Sequence, residues 1–173
     1  YPKVAGGQNH QVALKSDGTV WTWGYNGNGQ LGFGDKTTRT EPTKTNIENA
    51  IDVTAGNQYT AVLKADGTVW VSGYNEYGTT GDGTSSTKYN FIQVQGLTDV
   101  VAIESESNTM HALKSDGTVW SWGYNRYGQF GQNWTSTSAY GTPVKMRKVS
   151  NVMQISAGEN FATMVAADGT VWG

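Results

Sequence analysis

The five residues Asp17, Gly18, Thr19, Val20 and Trp21 return three times along the chain, at 66–70, 116–120 and 168–172. Their Asp positions are 49, 50 and 52 residues apart. Self-similarity at a period near fifty is the mark of a repeat architecture, and it limits the chain to folds built by copying one small unit. Asp-Gly between two runs of alternating residues is a hairpin signal, and a type I′ turn, with positive φ at both central residues, is the expected form. One hairpin is therefore written four times. It is framed by Asp17, Gly18 and Trp21, by Asp66, Gly67 and Trp70, by Asp116, Gly117 and Trp120, and by Asp168, Gly169 and Trp172. The recurrence of the four tryptophans in register assigns them to the core, and Trp23 and Trp122 with them.

Around each turn the same order of segments recurs. An alternating strand ending in small residues comes first, near 4–7, 51–56, 101–105 and 153–158. A second strand leads into the turn, and a third leaves it with bulky residues on both faces, so neighbouring sheets are expected on both sides. A glycine loop follows at 24–32, 73–81 and 123–131, and then a polar stretch of variable length. A fourth, edge-like strand is expected near 43–47, 90–94 and 143–146, with Pro42 and Pro143 suiting strand starts at an edge. No stretch holds a helical period with caps. Four short antiparallel strands in each fifty residues give an all-β chain of β-propeller blades, about 3.5 of them. The 173 residues form a single repeat domain with units at about 1–50, 51–99, 100–150 and an incomplete 151–173.

The run from Ala5 through His10 to Leu14, the turn Asp17 to Trp21 with Trp23, Gly24, Tyr25 and Asn26, and the closing Gly29, Gln30, Leu31 and Gly32 together resemble one repeat of the RCC1 (regulator of chromosome condensation) family. The resemblance covers essentially the whole chain and implies blades of a propeller that has seven in that family. It also implies a rigid disc whose loop faces grip a protein. Members include an exchange factor for a small GTPase, ubiquitin-ligase and sensor modules, and a bacterial β-lactamase inhibitor. The near-identical hairpins are similar to those of bacterial surface proteins. Two units depart from the pattern. The third has Glu106 where the others have Gly7, Gly56 and Gly158, and Thr109 where they have His10, Tyr59 and Phe161. The second has Ser72 in place of Trp, and Thr79 and Thr80 in place of Gln and Leu. Both departures are expected to weaken local packing.

A net charge of −2 leaves no basic footprint, so nucleic acid is not expected as a partner. No apolar run approaches eighteen residues, so no helical membrane insertion is expected. There is no Cys. Richness in Thr, Ser, Asn and Tyr with few Lys points to an extracellular or cell-surface setting. The first residue is Tyr1, which suggests a processed or excised product. The last, Gly173, interrupts a strand, and an open arc would expose two sheet faces and an edge. An excerpt of a longer protein with about seven blades explains this best, and self-association of two copies or an open assembly comes next.

The chemistry-bearing residues are few. His10 and His111 occupy non-equivalent repeat positions, and no motif marks a nucleophile. The four turn aspartates look like a carboxylate ring, yet turn chemistry accounts for them, so no metal or cofactor is assigned. Asn133 begins an N-glycosylation sequon, meaningful only in a secreted protein. Binding candidates are Glu76 and Tyr77, Arg126 and Tyr127, set between fixed glycines of successive loops, and Trp134 in a variable loop. Tyr, Trp and Arg are the residues that anchor interfaces. The reading is a non-catalytic module for a protein partner. A carbohydrate-binding module, a self-assembling structural repeat and, least favoured, a GTPase exchange factor stand as alternatives.

Overall fold

The computed structural model describes residues 1–130, 136–158 and 161–173, with the backbone alone for 136–139. It is all-β, with no helix among the described residues. The first sheet is β1 (Lys3–Gly6), β2 (His10–Leu14), β3 (Val20–Gly24) and β4 (Arg39–Lys44). The second is β5 (Ala50–Ala55), β6 (Tyr59–Lys64), β7 (Val69–Gly73) and β8 (Lys88–Gln93). The third is β9 (Val100–Glu106), β10 (Thr109–Lys114), β11 (Val119–Asn125) and β12 (Ser136–Lys145). The fourth is β13 (Val152–Ala157), β14 (Ala162–Ala166) and β15 (Val171–Trp172). Within every sheet the strands lie in sequence order and run antiparallel. The first strands meet one another, β1 against β5, β5 against β9 and β9 against β13, so they line the axis and each blade fans outward from it.

The core sits between blades rather than inside any one of them. Val12, Leu14 and Val20 of the first blade pack on Val53 and Val62 of the second. Tyr59, Leu63 and Val69 of the second pack with Ile103, Met110 and Trp122 of the third, and Leu113 and Val119 pack with Ile155 and Met164 of the fourth. Each such aliphatic side chain contributes about 1.5–3 kcal/mol by leaving water. A lone sheet could not bury both its faces, so neighbours stabilise one another. The expectation that the third strand is covered on both sides holds for β7 and β11.

Three local expectations are corrected. The Asp-Gly hairpin is not type I′. The Gly18 amide donates to Lys15 O (3.0 Å), the Lys15 amide donates to Thr19 O, and Gly18 alone has positive φ, at 79°. This is a type I turn followed by a glycine bulge, in which only the residue after Asp needs the left-handed region. Gly67, Gly117 and Gly169 repeat it at 79°, 77° and 85°. The fourth strands begin earlier than expected, because their pairing to β3 and β11 skips register at the residues around Pro42 and Pro143. A proline, which has no amide to donate, fits within an edge strand at such a bulge. Third, Trp21, Trp70 and Trp120 are half-buried rather than core, and Trp172 is exposed. The preceding Val20, Val69 and Val119 are the fully buried residues of the hairpin, and Trp122 is as well.

The reason is a short relay of hydrogen bonds. Asp17 Oδ1 accepts from the Thr19 amide (3.0 Å) and the Thr19 hydroxyl (2.7 Å), and the Trp21 indole donates to that hydroxyl oxygen (3.1 Å). Asp66, Thr68 and Trp70 repeat the relay, as do Asp116, Thr118 and Trp120. The indole is thus tied to the turn at the end of the blade. These hydrogen bonds from Thr, joined by the nearby Lys15, Lys64 and Lys114 charges, hold the carboxyls of Asp17, Asp66 and Asp116 below their usual range. The Asp ring is therefore turn chemistry.

The joints between blades use residues that the sequence reading passed over. Asn49, Asp99 and Asn151 carry positive φ of 60°, 60° and 53° immediately before the next blade. The Ala50 amide donates to Gly18 O (3.1 Å), and the Ala65 amide donates to Asn49 O (2.8 Å). Each joint is clamped between the turn of the blade it leaves and the turn of the blade it starts. Asn and Asp tolerate the left-handed region best among residues with a Cβ, and that preference was the available signal.

Candidate functional site at the glycine-loop end

Antiparallel strands in sequence order place the first and third connections of every blade at one end of the arc. The Asp-Gly turns lie at the other end. At the first end the Asn of each glycine loop is the organiser. Asn26 is buried, its Oδ1 accepts from the Leu31 amide (2.9 Å), and its Nδ2 donates to Asp35 O (3.0 Å). Asn75 does the same for the Thr80 amide (2.8 Å) and Thr84 O (3.0 Å), and Asn125 for the Phe130 amide (3.0 Å). The loop is thereby folded inward, so that Leu31, Thr80 and Phe130 are fully buried. The variable polar stretch is pinned to the same Asn. Arg39 pairs with Asp35 at 2.9 Å and holds its carboxyl down to about 2. Burial pushes Asp82 up, but Lys88 at 2.8 Å and the Thr84 hydroxyl outweigh it and bring it to about 2.

On this frame the residues after Asn point outward. Tyr77 packs its ring against Tyr74 of its own loop (centroids 6.0 Å apart, edge-on) and against Tyr124 of the next blade (4.8 Å). Glu76 is exposed and accepts a hydrogen bond from the Tyr74 hydroxyl. Arg126 is exposed beside these rings, with its guanidinium 5.9 Å from the centre of the exposed Tyr127. Four of the five binding candidates, Glu76, Tyr77, Arg126 and Tyr127, therefore lie around one aromatic patch that crosses from the second blade to the third. Trp134 and the sequon at Asn133 lie outside the described residues.

Sequence reasoning missed Tyr74 and Tyr124, the rings that flank Tyr77. They belong to the repeated Gly-Tyr-Asn segment and so read as framework. The first blade has no such patch, because Asn28 stands where Tyr77 and Tyr127 stand. Its side chain donates to Gln58 of the second blade instead (2.7 Å). That position bridges blades in both cases, once by a hydrogen bond and once by ring contact.

The histidines are interior. His10 is buried, with Nε2 2.9 Å from the Thr60 hydroxyl of the next blade, and burial lowers its pKa to about 4. His111 is buried, with Nδ1 2.8 Å from the Ser121 hydroxyl and Nε2 3.6 Å from the buried Glu106 carboxylate. The partners of both rings are hydrogen-bond and packing partners within and between blades.

Comparison with known proteins agrees with this architecture. The profile described as "Regulator of chromosome condensation (RCC1) repeat" matches residues 17–63 and 116–165, more than half of the chain. A second profile of the same description matches 3–30 and 50–79. Among solved structures, human WBSCR16 superposes with a TM-score of 0.85 at 21% identity, over 97% of this chain and 45% of its own. Prp20p from Saccharomyces cerevisiae superposes with 0.82 at 19% identity, over 94% of this chain and 42% of its own. The computationally designed Ika4 protein gives 0.55 at 18% identity, over 98% and 86%. The chain thus spans less than half the length of the two natural propellers. With strands and turns recurring in the same order in each blade, and a glycine loop following in the first three, the chain belongs to the RCC1 repeat family.

Proposed function

We propose that the chain is a non-catalytic propeller module that binds a protein partner through its glycine-loop end. The observation that carries this reading is the tyrosine patch, in which Tyr74, Tyr77 and Tyr124 join two blades and Glu76, Arg126 and Tyr127 surround them. Such a patch offers a rigid aromatic platform with charge of both signs at its rim, the composition that interface centres favour. Proteins of the same fold support the class of partner. Prp20p has binding properties toward Gsp1p and histones, and Kap60 binds yeast RCC1 (Prp20). A net charge of −2 favours a protein over nucleic acid here. We set the module within a larger secreted or surface protein on its Thr, Ser, Asn and Tyr content.

The test is affinity capture with wild type and with Tyr77→Ala/Tyr127→Ala, both confirmed folded. Polypeptides retained by wild type and lost from the variant are expected. Retention that is identical for both would overturn the reading. Binding on a glycan array that depends on the same tyrosines would move the assignment to carbohydrate, and nucleotide release from a small GTPase would move it to exchange.

A second reading, self-association, rests on the outer faces of the arc. Val4 is 65% exposed and Phe161 58%, whereas their counterparts Val53 and Tyr59 are fully buried between blades. These faces suit another blade, from a longer polypeptide or from a second copy. Sedimentation with wild type and Val4→Glu/Phe161→Glu separates the two sources. A copy-to-copy contact gives a concentration-dependent mass that the substitutions abolish.

A further inference from the structure

Three hairpins of this chain carry their own cation, and the fourth does not. Lys15 places its ammonium 3.7 Å from the centre of the Trp21 ring. Lys64 stands 5.3 Å from the Trp70 ring and Lys114 5.7 Å from the Trp120 ring. In all three the lysine is two residues before the turn Asp, and its charge is among the causes that hold that carboxyl down. The residue that follows the strand position facing Trp by two is Lys15, Lys64 and Lys114 in the first three blades. In the fourth blade Trp172 faces Met164, and two residues on is Ala166. No lysine is among the causes acting on Asp168.

The missing side chain leaves space. A hollow of about 440 Å³ opens at this turn, bounded by Trp172, Ala166 and Asp168 of the fourth blade and by Asp116 and Asn151 across the joint. Lys148 stands on its rim, exposed. The other titratable groups facing the hollow are the two turn carboxylates. In the sister blades the strand-four neighbour of the Trp (Lys44, Gln93 or Lys145) lies beside the ring along the sheet, and the turn lysine takes the ring face. The seat lost in the fourth blade is therefore the one over the indole face.

We propose that this hollow is a second binding site, which takes a primary alkylammonium group such as a lysine side chain presented by a partner polypeptide. The ligand replaces the internal lysine of the sister hairpins, with its charge over the Trp172 face and beside Asp168, and its methylenes along Ala166. An ammonium over an indole is attracted by the ring quadrupole, and a neighbouring carboxylate adds to that. This site lies at the Asp-Gly end, so it stands apart from the tyrosine patch and does not rest on the reading given for it.

The experiment is a titration of the 15N-labelled chain with n-butylammonium chloride, at constant ionic strength, with 1-butanol as the neutral probe. The Trp172 indole signal is identified by its absence in Trp172→Phe. A saturable shift of that signal with the amine and not with the alcohol is expected. Ala166→Lys refills the seat, and should keep the fold and abolish the shift. Asp168→Asn should weaken binding roughly fivefold. No saturable shift in wild type overturns the proposal, whatever the variants do, and so does equal response to butanol. An unchanged response in folded Ala166→Lys overturns it too.

Discussion

The packing at the axis is set by a glycine and the aromatic three residues after it. A Cβ on Gly7 would come within 2.2 Å of the His10 ring, one on Gly56 within 2.2 Å of Tyr59, and one on Gly158 within 2.5 Å of Phe161. The third blade resolves the same collision by changing both partners, with Glu106 in the glycine position and the smaller Thr109 in the aromatic one. What looked in the sequence like two separate flaws is one compensated exchange. Tyr59 then reaches across and donates to Thr109 O at 2.8 Å. Gly56→Ala is therefore expected to destabilise the fold by about 1–3 kcal/mol, since the Tyr59 ring cannot move without giving up that bond. Urea unfolding measures it. His10 adds a pH dependence whose sign follows from its depressed pKa. The unfolded side chain titrates near 6.5 and the folded one near 4, so the unfolded chain binds the proton first as pH falls. Stability is complete above the unfolded value and is lost between about 6.5 and 4, to the extent of about 3 kcal/mol. His10→Phe, the residue type of the fourth blade, should remove that portion of the loss. Unfolding midpoints of both proteins at pH 7 and pH 4.5 give the comparison.

At the scale of the element, one blade's third strand reads the glycine loop of the blade before it. Ser72 donates to Gly29 O (2.6 Å), while Trp122, at the same place one blade later, donates through its indole to Thr79 O (2.9 Å). The sizes are matched in opposite senses. Small Ser72 faces the loop that holds Gln30, and large Trp122 faces the loop in which Thr79 replaces that Gln. The substitutions of the second unit, expected to weaken packing, are halves of two complementary interfaces. Ser72→Trp alone should cost about 1–3 kcal/mol by overpacking against Gln30, and pairing it with Gln30→Thr should recover most of the loss. A double-mutant cycle by thermal or urea unfolding reads this directly. Additive penalties would show that the two positions do not meet. The same scale explains what could be read beforehand. Strand order, turn positions and the loop glycines were legible, because each obeys a local rule repeated at a fixed offset. The partnering of Ser72 with Gly29 and the second ring beside Tyr77 depend on residues more than forty positions away, which no single repeat contains.

For the molecule as a whole, stability rests on blade-to-blade contact. The buried clusters lie between sheets, and the joints Asn49, Asp99 and Asn151 share one left-handed backbone conformation. The candidate patch depends on the same geometry, since Tyr77 and Tyr124 come from different blades. The most direct test uses the absence of cysteine from the chain. Thr54 and Ser105 lie on the first strands of adjacent blades, with their hydroxyl oxygens 2.6 Å apart. Thr54→Cys/Ser105→Cys, oxidised under mild conditions and assayed for free thiol, should close a disulfide across the interface and stabilise the fold, by up to about 4 kcal/mol for a loop of this length. A folded protein that kept both thiols free under oxidation would contradict the fan of blades packed face to face about a common axis.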